Sequence, residues 1–210
     1  MAQLDAAWLR CFEDLGGATP PPCVWEELQA RYSEPHRAYH TLQHLHESFI
    51  WFEQVRALAV RPGDLAFALF YHDAIYDPRA TTNEEQSANL AASVLSEYVR
   101  GDSDSERVVS LIRATKHDAV PEDDDARLLV DIDLSILGAA ATRFDEYEQQ
   151  IRKEYGWVAP DAFRDGRSRV LEQFLMRPAI YSCPFFHERL EAIARVNLAH
   201  SLARLNVPTP

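Results

Sequence analysis

Glycine is scarce in this chain, with seven residues among 210. Because turn-rich β folds use glycine repeatedly, this scarcity favours helices over a sandwich or a barrel. The chain also lacks internal repeats and low-complexity tracts, and its length fits one domain, at most with a helical extension. Apolar residues make up 47% of the sequence, which is enough for a sizeable core.

Basic charge is in deficit as well, since 33 acidic residues oppose 21 lysines and arginines and leave a net charge of −12. Such a surface repels phosphates, so neither a large nucleic acid nor a membrane is expected as a partner. The longest apolar run, "LAFALFY", is too short to span a bilayer, and the N-terminus shows no signal-peptide pattern. The three cysteines are scattered and include no CxxC pair, which indicates reduced thiols. We therefore expect a cytoplasmic protein.

Helical spacing dominates what is present. Apolar residues recur every three or four positions, for example along 41–60, and this period predicts helices. The segment "RLLVDIDLSILG" fits either a strand or a helix. Because no second convincing strand exists, we predict a helix closed by Gly138. The predicted fold class is all-α, with about ten helices around a single core.

Two helix starts can be predicted from capping residues. Asp64 is the expected N-cap of a helix whose segment 65–71 is apolar on every side and therefore central and buried. Thr82 and Glu85 have the spacing of a capping box at the start of the following helix, and Gly101 is expected to end that helix.

Polar residues interrupt these apolar segments at three places. His72 and Asp73 follow the most apolar segment, Asp131 and Asp133 lie inside "LVDIDLS", and His44 belongs to an amphipathic helix. A buried imidazole or carboxylate is costly unless it is satisfied, either by hydrogen bonds within the core or by a metal ion. Residues two apart on a helix point in different directions, so we expect one of the two aspartates inward and one outward. Nitrogen and carboxylate ligands of this kind suit Zn²⁺, Mn²⁺, Fe²⁺ or Ni²⁺.

The ordered set of these segments resembles the HD superfamily of metal-dependent phosphohydrolases, and more narrowly its bacterial group of about this length. The matching pieces are "RAYHTLQHL", "FYHDAIYD", "TNEEQSA", "ATKHD", "DIDLSILGA", "IRKEY", "GRSRVLEQFL" and "EAIARVNL". The resemblance implies a single HD-like helical domain over 1–210, with N-terminal helices in 1–34, a metal-binding core in 35–138 and C-terminal helices in 139–210.

The resemblance implies a ligand set for one divalent ion, which could be Mn²⁺, Fe²⁺, Zn²⁺, Ni²⁺ or Mg²⁺. The implied ligands are His44, His72, Asp73 and Asp133, with Asp131 as the alternative to Asp133. The "YHTLQH" piece also looks like a motif of cyclic-nucleotide phosphodiesterases, which implies that His40 is the general acid.

The resemblance further implies hydrolysis of a small phosphorylated molecule, with nucleotides as the first class to consider. Cations and polar groups are needed for the phosphate, and Glu84 is expected behind a ligand histidine. For the arginines a surface ion pair is the competing interpretation, and for Glu84 it is a helix-dipole role. The candidate substrate contacts are Arg37, Tyr39, Lys116, His117, Arg152 and Arg167.

Two other functions fit the same pattern. Some HD-fold proteins are di-iron oxygenases, which need a second ligand set between the HD pair and the last aspartate, where this chain offers only His117. A non-catalytic nucleotide sensor would keep the same ligands and dispense with His40. The sequence does not fix the oligomeric state, for which a homodimer is one candidate.

Overall fold

The computed structural model describes residues 2–99 and 105–206, and within these ranges it holds ten α-helices, two short 3-10 segments and no β-strand. The prediction of an all-α fold with about ten helices is therefore confirmed. The helices are α1 (Ala2–Asp14), α2 (Pro22–Arg31), α3 (Leu42–Val55), α4 (Pro62–Tyr71), α5 (Asn83–Tyr98), α6 (Ser105–Ala114), α7 (Asp124–Asp133), α8 (Ala141–Glu154), α9 (Pro160–Met176) and α10 (Pro184–Leu205). The 3-10 segments are Arg56–Leu58 and Leu134–Gly138.

The chain divides into two compact units, 1–132 and 133–210, and the division falls at the last residue of α7. In the first unit α4 is the central helix, since α1, α3, α5 and α6 all pack against it. Every residue from Leu65 to Tyr71 is at most 2% exposed, as the uninterrupted apolar run predicts. The ring of Phe70 packs against the rings of Trp8 and Phe49, with centroid distances of 5.1 and 4.2 Å.

Of the two predicted helix starts, the one at Asp64 is wrong, and the one at Thr82 is right in position but lacks the capping box. The central helix begins at Pro62, because proline fits the first helical position, and Asp64 lies inside the first turn in an ion pair with Arg61. Thr82 does precede α5, but its side chain caps no amide. Glu85, which should close the box, instead accepts two hydrogen bonds of 2.7 Å from Arg113 on α6. Gly101 lies outside the described residues, and α5 ends at Tyr98.

The segment "RLLVDIDLSILG" is helical, as predicted, and continues from α7 into the 3-10 segment that ends at Gly138. In the second unit the 3-10 segment lies against α10. Asn197 donates to the carbonyls of Leu137 and Ala139 at 2.9 Å each. A Cβ on Gly138 would lie 2.6 Å from the Cβ of Leu190, so the close approach of the segment to α10 requires glycine.

Candidate metal centre

Two buried histidines face each other where α3 begins and α4 ends. His44 is the third residue of α3 and His72 immediately follows α4, and they are 2% and 1% exposed. Their Nε2 atoms lie 3.0 Å apart. Packing of α3 against α4 therefore brings together two imidazole nitrogens that are 28 residues apart in the sequence.

The orientation of His72 is set by its own helix. Its Nδ1 lies 2.7 Å from the carbonyl oxygen of Leu69, three residues earlier. Because a carbonyl only accepts, Nδ1 carries the proton and the lone pair of a neutral His72 is on Nε2, directed at His44. A hydrogen bond of this kind behind a histidine is the usual arrangement of a metal-binding imidazole.

The carboxylate of Asp73 completes a tight triangle with the two rings. Its Oδ2 lies 3.1 Å from Nε2 of His72 and 3.5 Å from Nε2 of His44. A carboxylate oxygen and an imidazole lone pair are both acceptors, so a proton or a cation must lie between them. The donor set of this triangle is therefore one that fits a divalent ion.

The separations also fit a single coordination sphere. Two ligand atoms that are each about 2.1 Å from one ion lie about 3.0 Å apart at a right angle and about 3.4 Å apart at the tetrahedral angle. The measured separations in the triangle are 3.0, 3.1 and 3.5 Å. All three atoms can thus be neighbouring ligands of one ion without rearrangement.

A second carboxylate comes from the end of α7. His44, His72 and Asp133 form a group that could hold a metal ion, because one ligand atom of each lies within 4.8 Å of the others. Asp133 is half-buried, whereas Asp131 is fully buried two residues earlier on the same helix. The group therefore includes Asp133, the first of the two alternatives.

His40 lies in the turn just before Thr41, the N-cap of α3, rather than on the helix. Its ring centroid is 6.1 Å from that of His44 and 4.0 Å from that of Tyr76, against which it stacks at 27°. Tyr39 is 4% exposed, and its ring lies tilted against His44 at 4.7 Å. Tyr39 and His40 therefore both contact the ring of His44.

Arg37 is buried behind this region, and its side chain has no exposed surface. Its guanidinium donates to the carbonyls of His40, Asp73 and Ala74 at 3.1, 2.7 and 3.1 Å and pairs with Glu34 at 3.0 Å. Arg37 therefore joins the segment that precedes α3 to the segment that follows α4. Its predicted contact with substrate stays a prediction.

Three further residues were expected at the site: Lys116 and His117 follow the end of α6, and Glu84 belongs to α5. Lys116 is exposed and pairs with Asp118 at 3.3 Å. His117 adopts a left-handed backbone with φ of 59°, and Glu84 lies half-buried in the first turn of α5. Their roles toward substrate or ligand histidines stay predictions.

Two of the predicted substrate arginines belong to the second unit, where both are engaged. Arg152 donates to the carbonyls of Tyr155 and Val158 at 2.8 and 3.1 Å. Arg167 pairs with Glu148. Burial lowers the pKa of Arg167, but the neighbouring Tyr147 and Glu148 raise it by more, so its pKa lies above the usual value. Both interactions stabilise the α8–α9 region itself.

Tyr76 is the residue near the site that sequence reasoning missed. It is four positions after His72, in a loop held to α5 by Ser87, whose hydroxyl accepts from the amide of Ile75 at 3.0 Å. No period in the sequence indicates where a loop residue lies. The available signal was only that an aromatic residue follows the His-Asp pair closely.

Comparison of the chain with protein-family models, with curated proteins and with solved structures gives no match. The resemblance to the HD superfamily therefore stays a prediction. Among the described residues, no helix combines the length and apolar character needed to cross a membrane.

Proposed function

We propose that this protein is a metal-dependent phosphohydrolase that acts on a small phosphorylated molecule, with nucleotides as the first class to test. The observation that carries the proposal is the convergence of two imidazole nitrogens and one carboxylate oxygen within 3.5 Å, with Asp133 beside them. This donor set fits a divalent ion of the Mn²⁺, Fe²⁺, Zn²⁺ or Ni²⁺ kind.

The ion would be held by His44, His72, Asp73 and Asp133. When bound, such an ion polarises a phosphoryl oxygen and lowers the pKa of a coordinated water toward about 7. The hydrogen bond from His72 to Leu69 fixes the ring, so its ligand nitrogen needs no reorientation. Asp73 would both hold the ion and orient the attacking water.

His40 would protonate the leaving oxygen. It lies outside the ligand triangle but beside His44, so it can reach a phosphate held at the ligands. A positioned general acid contributes on the order of 10²–10⁴-fold to the rate. Arg37 holds the backbone of His40 and Asp73 together, which keeps donor and ligand in register.

The test has two parts on one preparation. Purified protein is analysed for metal content and stoichiometry, then assayed with Mn²⁺ against a panel of nucleoside mono-, di- and triphosphates and cyclic nucleotides for release of phosphate or pyrophosphate. We expect one ion per chain and turnover of at least one compound. A full complement of two irons favours the oxygenase, and tight nucleotide binding without turnover favours the sensor; either result overturns the proposal.

The role of His40 has its own variant. We expect His40→Ala to lose at least about 10²-fold in rate while it binds the same amount of metal. Full activity in His40→Ala would remove the general acid from the proposal and leave the metal centre intact.

A further inference from the structure

The ring of His40 is enclosed by aromatic neighbours. Tyr76 stacks on one face at 4.0 Å and 27°, and Tyr39 meets it edge-on at 4.9 Å and 79°. A ring held by two aromatic contacts at different angles loses most of its freedom to rotate, and each such contact contributes roughly 0.5–1.5 kcal/mol. The plane of His40 is therefore defined before any substrate arrives.

Tyr76 is itself firmly placed. His36 contacts its backbone carbonyl through Nε2 at 2.7 Å, and the two rings are nearly parallel at 6.4 Å. The guanidinium of Arg37 lies 5.5 Å from the centre of the Tyr76 ring, within the range of a cation–π interaction.

The loop that carries Tyr76 is closed on both sides. Ile75 exchanges two hydrogen bonds with the hydroxyl of Ser87, at 3.0 and 3.3 Å. Asp77 and Asn83 are joined by two more, at 3.1 and 2.9 Å. The stacking ring therefore stands on a loop fastened at the residues immediately before and after it.

We propose that Tyr76 is a positioning residue that holds His40 in the orientation for proton donation, and that the substrates are phosphate esters of weakly acidic alcohols such as sugar hydroxyls. The inference rests on the proposed function. A fixed proton donor matters when the leaving oxygen is strongly basic, because an acidic leaving group departs without a proton. A ring fixed this closely therefore indicates an alcohol rather than a phenol or a second phosphate as the leaving group.

The oxygen of water forms a new bond to phosphorus as the bond from phosphorus to the ester oxygen breaks, and its electron pair stays on the ester oxygen. That oxygen takes the proton of the His40 imidazolium and leaves as the alcohol. The proton released by water passes to solvent, from which His40 regains its own.

The kinetic test compares two substrates with Mn²⁺-loaded protein: 5′-AMP, whose leaving group is an alcohol, and 4-nitrophenyl phosphate, whose leaving group is acidic. For Tyr76→Ala we expect kcat on 5′-AMP to fall by about tenfold or more, but kcat on 4-nitrophenyl phosphate by less than about twofold, with KM little changed. Tyr76→Phe retains the ring and should restore the 5′-AMP rate. Trp157→Ala, at an exposed aromatic of the second unit, is the control for loss of a surface ring.

A second readout needs no activity. In metal-free protein, ring-current shielding by Tyr76 moves the His40 ring protons upfield in the NMR spectrum, and His40→Ala identifies the signals. We expect these signals to move downfield in Tyr76→Ala and to stay in place in Tyr76→Phe. If circular dichroism shows that Tyr76→Ala does not fold, Tyr76→Leu retains side-chain volume without a ring and replaces it.

The outcomes separate the two proposals. No turnover of either substrate or of the nucleotide panel by loaded wild-type protein overturns the proposed function and this inference together. Turnover with an equal loss on both substrates, or failure of Tyr76→Phe to restore the 5′-AMP rate, overturns only the role of Tyr76. Unmoved His40 signals in Tyr76→Ala overturn the positioning contact itself.

Discussion

Metal binding should raise the unfolding temperature of this protein, and the rise should depend on the residues of the candidate centre. The perturbation is the addition of Mn²⁺, Fe²⁺, Zn²⁺, Ni²⁺ or Mg²⁺ to protein freed of metal by a chelator. The candidate ligand atoms are 3.0–3.5 Å apart, which is the separation expected between two ligands of one ion. Little free energy is therefore needed to arrange them for binding.

The size of the effect follows from linkage. An ion that binds only the folded state stabilises it by about 2.7 kcal/mol when present at 100 times its dissociation constant. For a chain of 210 residues, each kcal/mol moves the unfolding temperature by roughly 2–4 °C, so the expected rise is about 5–11 °C.

The assay is thermal unfolding followed by circular dichroism, with wild-type protein beside three variants. Asp133→Asn and His44→Gln each remove a ligand with little change of volume and should lose most of the rise. The matched control is His46→Gln on the same helix, because His46 contacts Gln3 at 2.9 Å outside the ligand group. A rise of the same size in Asp133→Asn, or no rise with any of the five ions, would refute the centre.

Three further predictions concern stability, each measured by urea unfolding with tryptophan fluorescence. Arg37→Met removes the donor to three backbone carbonyls and should lower the free energy of unfolding by about 3 kcal/mol. Its control is Arg31→Met, which removes a partly exposed ion pair and should change stability by less than about 1 kcal/mol. Equal losses in the two variants would contradict the role of Arg37. Asn197→Leu removes the amide that donates to the carbonyls of Leu137 and Ala139 and should cost about 2–3 kcal/mol, so a neutral effect would count against those bonds. Gly138→Ala forces a Cβ against Leu190 and should cost about 1–3 kcal/mol; a gain in stability would show that the segment can move away.

The central helix could be predicted because nothing polar interrupts Leu65 to Tyr71, and burial on all sides is the arrangement that removes such a segment from water. The exact helix starts could not be predicted in the same way. Asp64 pairs with Arg61 inside the first turn, and Glu85 is held by Arg113, 28 residues away in the sequence. Local capping rules do not include a partner such as Arg113, which only packing supplies.

The candidate centre was predictable in its residue types but not in its geometry. His44 and His72 could be recognised as polar groups in segments that should be buried. The 3.0 Å approach of their nitrogens depends on how α3 packs on α4, which the period of either helix leaves open. The position of Tyr76 was not predicted, because the conformation of its loop is set by hydrogen bonds to Ser87 and Asn83 rather than by a repeating sequence pattern.

The order of the group along the chain has a kinetic consequence. His44 and His72 are 28 residues apart, and Asp133 comes only after α5, α6 and nearly all of α7. Joining such distant segments is slow because loop closure must precede the contact. An ion that needs all three residues therefore binds after the folding barrier has been crossed. It should leave the refolding rate nearly unchanged and act by slowing unfolding. The bound ion would therefore increase the kinetic stability of the folded state without accelerating folding.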